Sequence, residues 1–94
     1  MTTNRRDRVM AARDALRGVV SEYQAEVTTV KSNKDASDTF KTRRLAEIRR
    51  EYDDLGRGAA ARYVQAVQKA ETETRQDLTR ALQEAEAGWN YARL

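Results

Sequence analysis

Small and apolar residues recur at helical spacing through the C-terminal two thirds of the chain. Between residues 38 and 94 each step from one such position to the next is three or four residues, which aligns them along one side of a helix. The positions are Leu45, Ile48, Tyr52, Leu55, Ala59, Tyr63, Val67, Ala70, Thr74, Leu78, Ala81, Ala85, Trp89 and Ala92. No proline interrupts them. The stretch therefore predicts one very long helix, or two helices that meet near Gly56.

Two glycines, Gly56 and Gly58, keep that alternative open. Together they cost about 2 kcal/mol of helix propensity relative to alanine, and glycine is common just past a helix end. No Ser, Thr, Asp or Asn follows them to cap a new helix, and the next three residues are alanines. We therefore predict a continuous helix over about residues 38–92, with a three-helix bundle broken at Gly56–Gly58 as the alternative.

The N-terminal third predicts a shorter helix, over about residues 4–32. Asn4 is a candidate N-cap, because Asp7 would then lie in the first turn, where the helix dipole favours an acid. Residues 33–37 collect Ser, Asn and Asp and predict a turn. Asn33 is expected to close the first helix in a left-handed conformation, and Ser37 or Asp38 to cap the second.

Together these elements predict an all-α fold, in which one domain of residues 1–94 forms an antiparallel helical hairpin or coiled coil. Val30 should lie close to the start of the second helix, and Leu16 close to Leu55. The predicted core consists of Leu16, Val20, Tyr23, Val27, Val30, Leu45, Ile48, Tyr52 and Leu55.

The two predicted helices differ in length by a factor of two. At 1.5 Å per residue the second is about 85 Å long and the first about 43 Å, so roughly half of the second should have no intrachain cover. We therefore predict self-association, or docking onto a larger assembly, through residues 59–94. The interface residues predicted are Tyr63, Val67, Ala70, Leu78, Leu82, Ala85, Trp89 and Tyr91.

Charge is abundant but nearly balanced, with 18 basic and 15 acidic residues and a net charge of +3. The basic excess lies at the N-terminus and at residues 43–50, and an arginine fork fits phosphate oxygens. Candidate nucleic-acid contacts are Arg5, Arg6, Arg8, Arg13, Arg43, Arg44, Arg49 and Arg50. Against this function, residues 43–57 carry opposite charges at helical spacing, so that their fields largely cancel.

Enzymatic chemistry finds little support in the sequence. The chain has no histidine and no cysteine, and it lacks a phosphate-binding loop, a nucleophile elbow or metal-ligand spacing. We expect no catalytic site, no cofactor and no metal. No secretion signal or apolar run of membrane-spanning length is present, so a soluble protein of the cytoplasm or of a virion, with no membrane partner, is expected.

As a class, these Arg-, Ala- and Glu-rich helices with a capped hairpin turn resemble the coiled-coil assembly proteins of tailed bacteriophages, such as scaffolding or head and tail accessory subunits. The resemblance spans the whole chain and rests on composition and periodicity. It implies a structural, homo-oligomeric role in virion assembly. The small secreted helical hairpins with a Trp-x-Gly turn do not match, because the only tryptophan, Trp89, lies far from either candidate turn.

Overall fold

The computed structural model describes the backbone of residues 4–93 and the side chains of residues 4–89. It contains two α-helices, α1 (Arg5–Ser32) and α2 (Asp38–Arg93), and no strand occurs among residues 4–93. The helices pack side by side in an antiparallel hairpin that measures 85 × 20 × 18 Å. The predicted all-α hairpin is confirmed.

The N-terminus of α1 is capped as the sequence predicts. The Asn4 side chain accepts a hydrogen bond from the Asp7 backbone N–H at 2.8 Å, which satisfies one of the amides that a helix leaves unpaired at its start. The Asp7 carboxylate lies in the first turn, where the positive end of the helix dipole stabilises it.

The turn between the helices is held by its own polar side chains. Asn33 is the C-cap of α1, but its backbone is extended (φ −74°, ψ 103°), so the expected left-handed conformation is wrong. Its amide donates to the Val30 carbonyl at 3.3 Å, and its side chain accepts from the Asp35 amide at 3.1 Å. With these two bonds the turn does not need a left-handed residue. Ser37 Oγ accepts from the Phe40 amide at 3.1 Å and caps α2.

No break occurs in α2 at Gly56 or Gly58. Both residues lie inside the helix, and no glycine of the described chain has a positive φ. The three-helix bundle is therefore wrong. Uninterrupted helical hydrogen bonding and three following alanines outweigh the propensity cost of two glycines, since nothing after them is suited to begin a new helix.

The core is a narrow seam between α1 and α2. Among the described residues its buried side chains are Ile48 and Ala59, which are 1% and 5% exposed. Tyr23 of α1 and Tyr52 of α2 lie across the seam with ring centroids 5.7 Å apart and planes tilted by 57°, a favourable geometry for aromatic pairs. The other predicted core residues that lie half-buried in this seam are Leu16, Val27, Val30 and Leu45.

The prediction that Val20 and Leu55 belong to the core is wrong. Val20 is 47% exposed and Leu55 is 52% exposed, whereas Val19 and Gly56 are half-buried. Neighbouring residues on a helix point about 100° apart, so a seam that passes through Val19 and Gly56 turns Val20 and Leu55 towards its edges. The pattern of residue size did not reveal this, because the half-buried position beside Leu55 is a glycine that borders the groove between the helices.

The expected approach of the end of α1 to the start of α2 is seen. Lys41 Nζ donates to the Lys31 carbonyl at 3.3 Å, and Val30 lines the same surface depression as Ile48. The expected contact between Leu16 and Leu55 stays a prediction.

Candidate helix-association surface

The first helix covers more of α2 than its length alone suggests. Near its N-terminus, Arg5 Nη2 lies 2.7 Å from Asp77 Oδ2, and Arg8 Nη2 donates to Glu73 Oε2. Long arginine side chains extend the reach of a helix end beyond its last backbone turn. The expectation that residues from 59 onward have no intrachain partner is therefore wrong up to about Asp77.

Within this covered part, burial separates two sides of α2. Tyr63 and Ala70 are half-buried against α1, whereas Val64 and Val67 are exposed. Because successive residues are rotated by about 100°, Val64 and Val67 belong to a second line of side chains, which runs beside the seam. We call this line the outer apolar stripe. It consists of Gly56, Ala60, Val64, Val67, Leu78, Leu82, Ala85 and Trp89.

The outer apolar stripe continues past the end of the region that α1 covers. Leu78, Leu82 and Trp89 are between 60% and 65% exposed, although each is large and apolar. Val67 and Leu78 line one shallow depression on the surface of α2, together with the polar side chains of Glu71, Thr74 and Arg75 that lie between them. The stripe thus has two exposed apolar segments, one at Val64 and Val67 and one from Leu78 to Trp89, and clustered exposed apolar residues mark an interaction site.

At its other end the stripe opens into a groove of about 250 Å³ between the two helices. Its walls include Val20 of α1, the Tyr23–Tyr52 pair and Gly56 of α2. A Cβ atom built on Gly56 would meet no atom within 4 Å. The glycine thus leaves an open depression where any other residue would place a side chain.

Charged side chains interrupt the stripe between Val67 and Leu78 and flank it on the side away from α1. Arg75 Nη2 lies 3.4 Å from Glu71 Oε1, and Arg57 Nη2 lies 3.1 Å from Asp53 Oδ2. Glu86 is exposed further along the same flank. An apolar line with a charged border is the usual composition of a helix that binds another helix.

The structure divides the interface residues that the sequence predicted. Val67, Leu78, Leu82, Ala85 and Trp89 lie on the outer apolar stripe, and the side chain of Tyr91 lies outside the described residues. Tyr63 and Ala70 face α1 instead.

Sequence reasoning missed Val64 because the predicted line passed through Tyr63. The spacing of Val64, Val67 and Leu78 is itself helical, so a second apolar line was present in the sequence.

The candidate nucleic-acid residues are separated into two groups. Arg5 and Arg8 are engaged with α2, Arg44 lies 3.2 Å from Glu47, and Arg13 lies 3.7 Å from Asp14. The other four lie more than 4 Å from any described carboxylate. These are Arg6, Arg43, Arg49 and Arg50. Two of the eight arginines, Arg5 and Arg8, therefore join the two helices, whereas Arg13 and Arg44 pair within their own helix.

One titratable group in the seam has a perturbed proton affinity. Burial raises the pKa of the Tyr52 hydroxyl above its usual value, and the negative charges of Glu26, Glu22 and Glu51 raise it further. Glu26 Oε2 is buried and accepts no hydrogen bond among the described residues. The raised pKa means that the folded state favours the neutral phenol of Tyr52.

Residues that coordinate metals are not clustered in the described part of the chain, where no three His, Cys, Asp or Glu side chains could hold an ion. Neither described helix is both long and apolar enough to cross a membrane. The chain matches no protein-family model, and neither a curated protein nor a solved structure is significantly similar to it. The surface of the hairpin is therefore the basis for any functional conclusion.

Proposed function

We propose that this is a non-enzymatic structural or assembly protein, which acts by coiled-coil self-association or by docking onto a larger protein assembly. Its binding surface is the outer apolar stripe. The observation that carries the proposal is the exposure of Leu78, Leu82 and Trp89 on one side of α2. Each large apolar side chain that leaves water on binding contributes about 1.5–3 kcal/mol.

The rest of the molecule suits this role. In the hairpin, α1 covers α2 up to about Asp77 and holds the part of the stripe at Val64 and Val67 on a packed helix, so little conformational entropy is lost there on binding. The large apolar residues Val67, Leu78 and Trp89 are spaced eleven residues apart. This repeat suits nearly straight helix pairs. By its resemblance to phage assembly proteins, we place the protein in the cytoplasm or in a virion, where it would act as a scaffold or accessory subunit.

A second candidate function is nucleic-acid binding, with the long helix as a dimerisation frame. It is favoured by Arg6, Arg43, Arg49 and Arg50, which are exposed and have no carboxylate partner within 4 Å. Four phosphate contacts would make the affinity strongly dependent on salt. The pairing of Arg5 and Arg8 with α2 reduces the positive charge available at the N-terminus, and we therefore favour assembly.

The two functions are separated by the mass of the purified protein in analytical ultracentrifugation, with and without duplex DNA. Assembly predicts an oligomer that forms without DNA and dissociates in Leu82→Glu. The matched control is Gln83→Glu, which adds the same charge to the adjacent exposed position, off the stripe, and should leave the mass unchanged. A monomer that binds DNA tightly only at low salt, with Leu82→Glu indistinguishable from the wild type, would overturn the proposal.

A further inference from the structure

We infer that the occupant of the outer apolar stripe is a second copy of this chain, whose α2 lies antiparallel to the first with Leu82 opposite Val64 of the second copy. This inference rests on the proposed function and specifies its partner. It follows from the symmetry of the stripe, from the groove at Gly56 and from the flanking charges.

The stripe is symmetric about its own middle, which lies near Glu73. Its members form four pairs at nearly equal distances from that point along α2: Val67 and Leu78, Val64 and Leu82, Ala60 and Ala85, Gly56 and Trp89. A two-fold dimer places each residue of such a surface opposite its counterpart in the other copy. In the antiparallel pair every large side chain of the stripe therefore meets an apolar position.

Side-chain size favours this orientation over a parallel one. In the antiparallel pair Trp89 lies over the groove at Gly56 of the second copy, and that groove is open because a Cβ at Gly56 would meet no atom within 4 Å. A parallel pair would place Trp89 against Trp89 and Gly56 against Gly56. The two Trp89 side chains would then be crowded together while the grooves at Gly56 stayed empty, so apolar contact would be lost at both ends of the stripe.

The flanking charges select the same arrangement. When two copies of a helix pack antiparallel about a two-fold axis, residues on one flank of the first copy lie beside residues on the same flank of the second. Arg57 of one copy then lies near Glu86 of the other. The Glu71–Arg75 ion pair lies close to the two-fold axis. Glu71 of each copy would therefore lie near Arg75 of the other copy. In a parallel pair the same flank of the two copies lies on opposite sides of the interface, so Arg57 and Glu86 would not meet and this attraction would be lost.

The contact is large enough for a specific dimer of modest affinity. From Gly56 to Trp89 the stripe is about 50 Å long at 1.5 Å per residue, and a helix presents a face about 10 Å wide. Each copy then contributes about 500 Å², and the total of about 1,000 Å² reaches the lower bound for specific protein interfaces. The part of α2 beyond Asp77, which α1 does not cover, would lie against the hairpin of the second copy.

Disulfide cross-linking tests the register directly, because the chain contains no cysteine. Full-length Val64→Cys and Leu82→Cys variants are prepared separately, distinguished by a mass tag, and oxidised alone and as an equimolar mixture. We expect a covalent dimer only in the mixture, and only between unlike chains. Within each single variant the two cysteines would lie about 27 Å apart, at 1.5 Å per residue, which is far beyond disulfide reach.

Each of the other outcomes would refute a different part of the inference: the orientation of the helices, their register, or the self-association itself. A covalent dimer in Leu82→Cys alone would show a parallel pair. No cross-link in the mixture, when the uncrosslinked protein sediments as an oligomer that Leu82→Glu dissociates, would refute this register but leave the proposed function standing. A monomer at every concentration, with the stripe variant behaving as the wild type, would refute both.

A charge exchange gives an independent readout that does not require new covalent bonds. Arg57→Glu and Glu86→Arg should each raise the Kd of the dimer by about tenfold, because two symmetric contacts change in each case. The double variant should return to within about threefold of the wild type. Arg80→Glu, on an exposed side of α2 away from the stripe, is the control and should leave the Kd unchanged. Additive loss in the double variant would refute the pairing of Arg57 with Glu86.

Discussion

Replacing Ile48 by alanine should lower the free energy of unfolding more than truncation of an apolar residue of similar size on the surface. Ile48 is 1% exposed, and truncation of a buried isoleucine to alanine costs about 2–5 kcal/mol because apolar contact is lost and a cavity remains. A chain of this size has a total stability of about 5–14 kcal/mol, at 0.05–0.15 kcal/mol per residue. One substitution would therefore remove a large part of it.

Leu55 provides the matched control, because leucine and isoleucine have the same number of carbon atoms. Leu55 is on the same helix but is 52% exposed, so Leu55→Ala should change the free energy of unfolding by no more than about 0.5 kcal/mol. Both variants are unfolded with urea at one protein concentration, with helicity followed by circular dichroism. If Ile48→Ala proves too unstable to measure, Ile48→Val should still cost about 0.5–1.5 kcal/mol.

The sequence on its own placed Ile48 and Leu55 together in the core, so this comparison tests the packing of the seam. A loss in Leu55→Ala as large as that in Ile48→Ala would refute the placement of Leu55 at the edge of the seam. A small loss in both variants would show that the seam between α1 and α2 contributes little to stability.

Three further predictions concern the seam and its ends. Gly56→Ala should raise the free energy of unfolding by up to about 1 kcal/mol, measured by urea unfolding at a protein concentration where the chain is monomeric, because Gly56 lies within α2 and its added methyl group meets no atom within 4 Å; a loss of stability would contradict the continuous helix. Glu73→Gln should lower the free energy of unfolding by up to about 1 kcal/mol in low salt by removing the ion pair with Arg8, and urea unfolding in about 1 M salt should show little difference from the wild type, since the Debye length is then about 3 Å. Because the pKa of Tyr52 is raised in the folded state, its contribution to stability is fully present below the ordinary tyrosine pKa and is lost as pH rises through the folded pKa; alkaline unfolding followed by circular dichroism should therefore be less steep in Tyr52→Phe, and an identical profile would contradict the burial of the hydroxyl.

The sequence by itself determined the elements of this protein. Spacing of apolar residues, the absence of proline and the caps at Asn4 and Ser37 predicted an all-α hairpin, and each of these is a local property of helix formation. The continuity of α2 through Gly56 also followed from local preferences, because no capping residue stood ready after the glycines. Local rules sufficed wherever a residue interacts mainly with its own helix.

Only the tertiary structure decided which side of each helix faces the other. Periodicity gives the phase of a stripe to within about one residue, and one residue is a rotation of 100°. Because of this difference, Leu55 and Val20 lie at the edges of the seam rather than in the core, and Tyr63 and Ala70 lie against α1 rather than on the outer face. The same difference separated Val64 and Val67 into a second face, which the sequence had merged with the first.

The extent of cover was equally a tertiary matter. Helix lengths predicted that half of α2 would lie bare, but the ion pairs of Arg5 and Arg8 with Asp77 and Glu73 extend the hairpin. Such contacts join residues far apart in the chain and have no signature in local spacing. The line from Leu78 to Trp89 is exposed, as the helix lengths predicted, because the contacts of α1 (Arg5–Ser32) with α2 end near Asp77 in the described part of the chain.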